Sequence, residues 1–118
     1  MKSAAELFAD ARSRVAEVSA SETIAKRAAD PSQVLIDVRE DREWNVGHAA
    51  GAHHMSRGTL ESKIDAVVPR DATVVLYCAS GNRSALAAES LKAMGYTNVA
   101  SMSGGFRAWV DANGDVEG

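Results

Sequence analysis

Short apolar runs alternate with segments of helical periodicity along most of the chain. Three of these runs, VLIDV (34–38), TVVLYC (73–78) and TNVASM (97–102), are rich in β-branched residues and predict buried strands. The segments between them favour helices, and the clearest is RSALAAESLKAM (83–94), which ends before Gly95. Strands that alternate with helices in this way predict an α/β fold, in which helices cover both faces of a parallel sheet.

The chain ends are less regular. Apolar residues at helical spacing predict an N-terminal helix, although residues 15–18 also alternate as a short strand would. The segment SETIAKRAAD (21–30) predicts a helix capped by Ser21, and GGFRAWVDA (104–112) predicts the last helix. The same reasoning predicts a helical turn at 42–46, an extended piece at 52–55 and a helix within 58–68. We therefore divide the chain into an N-terminal helical extension (1–14), one α/β domain (15–112) and a polar tail (113–118).

Composition narrows the class of protein. A chain of 118 residues with 46% hydrophobic and 25% charged residues can form one core without disulfides or metals. The net charge of −3 gives no reason to expect a nucleic acid or a membrane surface as partner. Charged residues interrupt the N-terminal segment, and no apolar run approaches the ~18 residues of a membrane span. We expect a soluble, cytoplasmic protein.

The only cysteine, Cys78, stands where a predicted strand meets a predicted helix. A single cysteine excludes an intrachain disulfide, a Cys-x-x-Cys redox pair and multi-cysteine zinc sites. The next four residues are Ala79, Ser80, Gly81 and Asn82, all small or turn-forming, and they can leave backbone N–H groups free to form an anion-binding nest. The loop also leads into a helix N-terminus, which favours negative charge.

These features predict a reactive thiol at Cys78. Arg83 adds a positive charge at the end of the loop, if its side chain faces the loop. A free thiol has a pKa near ~8.5, which falls to roughly 3.5–7.5 beside a helix N-terminus or a cation. Because no second cysteine can resolve an adduct, a group on Cys78 must pass to an outside acceptor. The alternative is that Cys78 is an inert, buried residue at a strand end.

Several stretches together resemble the rhodanese (thiosulfate sulfurtransferase) family in its single-domain form. They are LIDVRE (35–40), EWNVGHAAGAHHM (43–55), VVLYCASGNRSALAA (74–88), LKAMGYTNV (91–99) and SGGFRAW (103–109). The resemblance implies a rhodanese-like fold with a five-stranded parallel sheet. It implies that Cys78 takes a sulfane sulfur from thiosulfate or a related donor and releases sulfite, and that cyanide or a cellular thiol then removes the sulfur from the persulfide. Amides of the 79–83 loop would bind the outer sulfur.

The resemblance also bears on residues outside the loop. It implies that Asp37 orders the surroundings of the loop and that Arg39 joins its polar network, but a structural ion pair is the interpretation we favour. Arg57 would border the entrance and attract an anionic donor, unless it is a solvated loop residue. We expect no cofactor. We also expect no metal, because the neighbouring histidines His53 and His54 point to opposite faces of an extended segment and cannot easily bind one ion together.

Three functions remain open at this point. The first is a sulfurtransferase that acts on a small-molecule sulfur donor and acceptor. The second is a persulfide carrier that delivers sulfur to a partner in a sulfur relay. The third is a phosphatase or arsenate reductase on the same fold. Related phosphatases carry one more residue between cysteine and arginine, and the four residues found here fit a smaller cup, which argues against the third function.

Overall fold

The computed structural model describes all 118 residues as six helices and seven strands. The helices are α1 (Ala4–Arg14), α2 (Ala20–Ala29), α3 (Asp41–Val46), α4 (Leu60–Val67), α5 (Asn82–Ala93) and α6 (Gly105–Asp111). The strands are β1 (Ala16–Val18), β2 (Val34–Asp37), β3 (His48–Ala49), β4 (His53–His54), β5 (Val74–Tyr77), β6 (Val99–Met102) and β7 (Val116–Glu117). The three strands predicted from apolar runs are confirmed as β2, β5 and β6.

Five of the strands form one parallel sheet in the order β1-β6-β5-β2-β4. Strand β5 is therefore the central strand, with β6 on one side and β2 on the other. Asp37 of β2 lies opposite Tyr77 of β5, and Leu76 of β5 lies opposite Ser101 of β6. The predicted five-stranded parallel α/β fold is confirmed.

Hydrophobic clusters on both faces of the sheet hold the helices in place. One face packs against α4 and α5 through residues such as Ile64 and Leu91, which are fully buried. The other face packs against α2 and α6 through Ala20 and Trp109. Each large aliphatic side chain that becomes fully buried stabilises the fold by about 1.5–3 kcal/mol. The helices thus cover both faces, as the alternating pattern predicts.

The N-terminal helix is part of the packed structure. Ser3 caps α1, and its hydroxyl accepts a hydrogen bond from the N–H of Glu6 at 3.1 Å. Ala11 is fully buried where α1 lies against α5. Arg14 forms an ion pair with Glu89 of α5 at 2.6 Å. The helix predicted at the N-terminus therefore ends at Arg14, and the alternating residues after it form the short strand β1.

The prediction of the α2 cap is wrong, and the C-terminal tail contains a strand that its polar composition does not predict. The cap of α2 is Ser19, not Ser21, because the Ser19 hydroxyl accepts from the N–H of Glu22 in a full capping box. The polar tail contains strand β7, which pairs antiparallel with β3. Backbone hydrogen bonds form this pairing, and the carbonyl of Asp115 also accepts from the indole N–H of Trp109 at 2.9 Å. A polarity pattern does not reveal such backbone contacts.

None of the helices combines the length and the apolar composition that crossing a membrane would require.

Candidate functional site

Cys78 directly follows the central strand β5, at the carboxyl end of the sheet. Ligands of open α/β sheets bind at this edge, beyond the ends of the strands. The residue is only 1% exposed, and it shares the face of β5 on which Leu76 is buried, because side chains alternate along a strand. The strand thus fixes the thiol at the base of the loop that follows.

Backbone N–H groups converge on the sulfur of Cys78. The N–H of Gly81 lies 3.1 Å from Sγ, and the N–H of Ser84 lies 3.4 Å from it. Gly81 precedes the first residue of α5 and has a left-handed backbone with φ of 103°, which favours glycine there. The sulfur therefore lies where a capping side chain would, at the N-terminus of a 12-residue helix whose dipole favours an anion.

A pair of buried hydroxyl groups lies behind the thiol. The Sγ of Cys78 lies 3.5 Å from the hydroxyl oxygen of Ser84, which in turn lies 2.8 Å from the hydroxyl oxygen of Ser101. Both serines are fully buried. Sequence reasoning missed both. Ser101 could have been found, because the strand register places it opposite Leu76, on the face that Cys78 shares.

Two opposing effects act on the thiol. Burial raises the pKa of Cys78, but hydrogen bonds from the Ser84 hydroxyl and from the N–H groups of Ser84, Ser80 and Gly81 together outweigh it. The pKa of the thiol therefore lies below its ordinary value. The thiolate is the nucleophilic form, so this arrangement favours a reactive sulfur rather than an inert one.

The last helix holds the loop from the other side. The N–H of Phe106 donates a hydrogen bond to the carbonyl oxygen of Cys78 at 2.8 Å. Gly105 makes this close approach feasible, because a Cβ at this position would lie 2.3 Å from that same oxygen. Gly105 also has a positive φ of 59°. Gly105 thus allows α6 to pack against the loop of Cys78.

Arg83 does not stand alone at the end of the loop. Its guanidinium forms a two-point ion pair with the carboxylate of Glu43 on α3, with distances of 3.0 and 3.2 Å. Both side chains are partly buried, at 31% and 24% exposed. The hydrogen bond with Arg83 holds the pKa of Glu43 below its usual range. Glu43 is a further residue that the sequence reasoning missed, since one acidic residue in the charged segment REDREW carries no distinguishing signal.

Asp37 and Arg39 form a buried network beside the loop, on the other face of the sheet. Their ion pair measures 2.8 Å, and the hydroxyl of Tyr77 donates to Asp37 at 2.6 Å. Arg39 also donates to the carbonyl of Gly47 at 2.7 Å and lies 4.3 Å from the centre of the Phe106 ring. These contacts agree with the structural role that we favour for this pair.

The remaining predicted residues make separate contacts. Arg57 pairs with Glu61 at 2.8 Å, and its own N–H donates to the carbonyl of Val38 just beyond β2. Asn82 accepts a hydrogen bond from Arg12 of α1. Ala79 is half-buried and Ser80 is exposed. No cluster of His, Cys, Asp or Glu side chains is arranged to hold a metal ion.

Comparison with known proteins gives the family. The model of the rhodanese-like domain matches residues 19–112. The chain is 34% identical over 79 residues to a thiosulfate sulfurtransferase, GlpE, of Tolumonas auensis, which covers 67% of this chain and 74% of that protein. It is 40% identical over 76 residues to a probable adenylyltransferase/sulfurtransferase, MoeZ, of Mycobacterium tuberculosis. That match covers 64% of this chain but only 19% of MoeZ.

A solved structure from Rhodopseudomonas palustris superposes over nearly the full length. It has a TM-score of 0.87 and 34% identity, and the match covers 99% of this chain and 96% of that one. That protein is described as being of unknown function and as a possible tyrosine phosphatase. With the family model matched across the α/β domain, the chain belongs to the rhodanese-like domain family.

Proposed function

We propose that this protein is a sulfurtransferase that moves a sulfane sulfur from thiosulfate or a similar donor to a thiophilic acceptor, through a persulfide on Cys78. The observation that carries the proposal is the convergence of the Gly81 and Ser84 N–H groups on the buried sulfur, at 3.1 and 3.4 Å. These donors can stabilise a sulfur anion in place without any rearrangement of water.

In the first step the Cys78 thiolate attacks the outer sulfur of thiosulfate. A sulfur–sulfur bond forms to Cys78, the sulfur–sulfur bond of thiosulfate breaks, and sulfite leaves with the electron pair. The product is a Cys78 persulfide anion, and total charge is conserved. The N-terminus of α5 and the loop amides face the negative charge that develops on the transferred sulfur.

In the second step an acceptor removes that sulfur. Cyanide attacks the outer sulfur of the persulfide to form thiocyanate, and Cys78 leaves as the thiolate. A cellular thiolate would give a new persulfide by the same displacement. Because Cys78 is the only cysteine, no second thiol of this chain competes for the persulfide.

The relatives support the reaction class. One relative is named as a thiosulfate sulfurtransferase and another as a probable adenylyltransferase/sulfurtransferase. The test is an assay with thiosulfate and cyanide. We expect thiocyanate and sulfite in equal amounts from the wild type and none from Cys78→Ser. Normal turnover by the Cys78→Ser variant would overturn the proposal.

The similarity to MoeZ favours a second candidate, a persulfide carrier that serves a protein partner. The chain matches only 19% of that protein, whose name joins an adenylyltransferase to a sulfurtransferase. A carrier would receive sulfur from a protein donor and turn over thiosulfate poorly. Two measurements distinguish the candidates: the intact mass after incubation with a cysteine desulfurase, and the turnover of thiosulfate. A carrier takes up sulfur from the desulfurase and shows negligible thiosulfate turnover.

The description of the R. palustris structure raises a third candidate, a phosphatase or arsenate reductase. This chemistry would require Arg83 to bind the oxyanion, yet its guanidinium is paired with Glu43 at two points. Turnover of an aryl phosphate or arsenate that depends on both Cys78 and Arg83 would support this candidate. We expect no such turnover.

A further inference from the structure

The positive charge of Arg83, at the end of the loop, is offset by Glu43 of α3. Glu43 lies on α3, 40 positions before Arg83, and both of its carboxylate oxygens accept from the guanidinium. Arg83 is the only cationic residue in the sequence from Cys78 through the first turn of α5, and Arg12 of α1 reaches the loop at Asn82. The Glu43 contact comes first among the effects that raise the pKa of Arg83, and the nearby charge of Cys78 also raises it. The contact that the geometry shows for the guanidinium of Arg83 is thus its pairing with Glu43.

This pairing matters for the charge of the donor. Thiosulfate carries two negative charges and must approach a thiolate. An unpaired arginine beside the loop would favour that approach, but the carboxylate of Glu43 offsets the charge of Arg83. A donor with one negative charge loses less attraction through this pairing than a donor with two. Ala79, the first loop residue after Cys78, adds no compensating charge.

We propose that Glu43 determines the donor specificity of this site, by pairing with Arg83 so that singly charged sulfane-sulfur donors are favoured over the thiosulfate dianion. The inference rests on the proposed sulfur transfer and concerns which donor loads Cys78. The favoured class of singly charged donors includes thiosulfonates and the persulfides of thiols.

The Glu43→Gln substitution removes the negative charge of Glu43 and changes the shape of the side chain little. Glu43 also caps α3, where its carboxylate accepts from the N–H of Glu40 at 3.0 Å. A glutamine can fill the same position of a capping box and can still accept one hydrogen bond from Arg83. The variant can therefore keep the capping contact and one of the two contacts with Arg83, while it frees the charge of Arg83.

Two donors of similar size and different charge give the readout. Thiosulfate transfers its outer sulfur and releases sulfite. Methanethiosulfonate, a monoanion, transfers its outer sulfur by the same displacement and releases methanesulfinate. In both cases the Cys78 thiolate gains one sulfur and the leaving group departs with the electron pair. Both donors react by the same displacement at sulfur. The ratio of their kcat/KM values therefore reports the effect of the second negative charge of thiosulfate.

A matched control lies further along α5. Glu89 of α5 also pairs with an arginine, Arg14, at 2.6 Å. It lies seven residues beyond Asn82, about 10 Å along the helix from the loop. Glu89→Gln changes the net charge of the chain by the same amount as Glu43→Gln, so it controls for long-range effects of charge.

We expect Glu43→Gln to raise kcat/KM for thiosulfate by about threefold to fivefold relative to methanethiosulfonate, mostly through KM. We expect Glu89→Gln to leave this ratio unchanged. An equal change for both donors in Glu43→Gln would mean that Glu43 only braces the loop, and it would overturn the inference while the proposed function stood. If the wild type took sulfur from neither donor, the proposed function itself would fail.

Discussion

The hydroxyl oxygens of Ser84 and Ser101 lie 2.8 Å apart, directly behind the sulfur of Cys78. Each hydroxyl carries one proton that can turn either way. When Cys78 is a thiol, it donates to Ser84 and Ser84 donates to Ser101. When Cys78 is a thiolate, Ser84 turns to donate to the sulfur, and its oxygen accepts from Ser101. The pair can thus satisfy the buried sulfur in both protonation states.

Ser84→Ala should raise the pKa of Cys78, because the thiolate loses a hydrogen bond in a buried position. Hydrogen bonds to charged groups contribute about 1.5–3 kcal/mol, which corresponds to roughly one pH unit or more. The measurement is the rate of alkylation of the thiol as a function of pH. We expect the midpoint to move to higher pH while the limiting rate at high pH changes little.

Ser101 provides the control for this prediction. Alone, Ser101→Ala should move the midpoint upward by less than Ser84→Ala, since it acts only through the Ser84 hydroxyl. In the Ser84→Ala background it should have no further effect on the midpoint. Additive shifts in the double variant would contradict the arrangement described here.

The pH dependence of sulfur uptake should follow the lowered pKa of Cys78. Uptake requires the thiolate, so the rate rises with pH through the pKa of the folded protein and then levels off. Because hydrogen bonds lower that pKa, the plateau should begin at lower pH than for a simple thiol such as glutathione with the same donor. Single-turnover uptake from thiosulfate, followed by mass, provides the measurement. A profile that coincides with that of glutathione would contradict the role of the amides.

Gly105→Ala should disrupt the site. A Cβ there would lie 2.3 Å from the carbonyl oxygen of Cys78, and the backbone adopts a positive φ. We expect a loss of stability of more than 1 kcal/mol, about the cost of a strained backbone conformation, together with lower sulfur transfer. Gly58→Ala is the matched control, because a Cβ at Gly58 meets no atom within 4 Å. Urea denaturation of both variants tests the prediction, and equal stability would refute it.

Asp37→Ala should destabilise the protein, because it leaves the guanidinium of Arg39 buried without its partner. Breaking a buried pair in this way costs about 3–5 kcal/mol. Asp41→Ala is the control, since the side chain of Asp41 is 86% exposed. Chemical denaturation should show the large loss for Asp37 and little change for Asp41. Equal effects would mean that the buried network adds no stability.

The pattern of apolar runs was sufficient to predict the central strands, because parallel strands buried on both faces leave a continuous apolar signal. The position of Cys78 at the tip of β5 followed from the strand and helix around it. The cap of α2 shifted from Ser21 to Ser19 because either serine could begin the helix, and only the geometry shows which N–H groups each one reaches.

The sequence pattern did not predict contacts between segments that are distant along the chain. Glu43 reaches Arg83 across 40 positions, and Ser101 reaches Ser84 across 17, so neither pair appears as a local motif. Strand β7 joins β3 through backbone hydrogen bonds, which do not depend on side-chain polarity. Ser101 is the exception that reasoning could have reached, given the order of the strands and their register.

The central claim is that backbone amides hold a sulfur anion at Cys78, the only thiol of the chain. The most direct measurement is the intact mass of the protein after treatment with thiosulfate. We predict that the wild type gains the mass of one sulfur atom, that cyanide removes it, and that Cys78→Ser gains none. An unchanged mass for the wild type, or an equal gain by Cys78→Ser, would contradict the account.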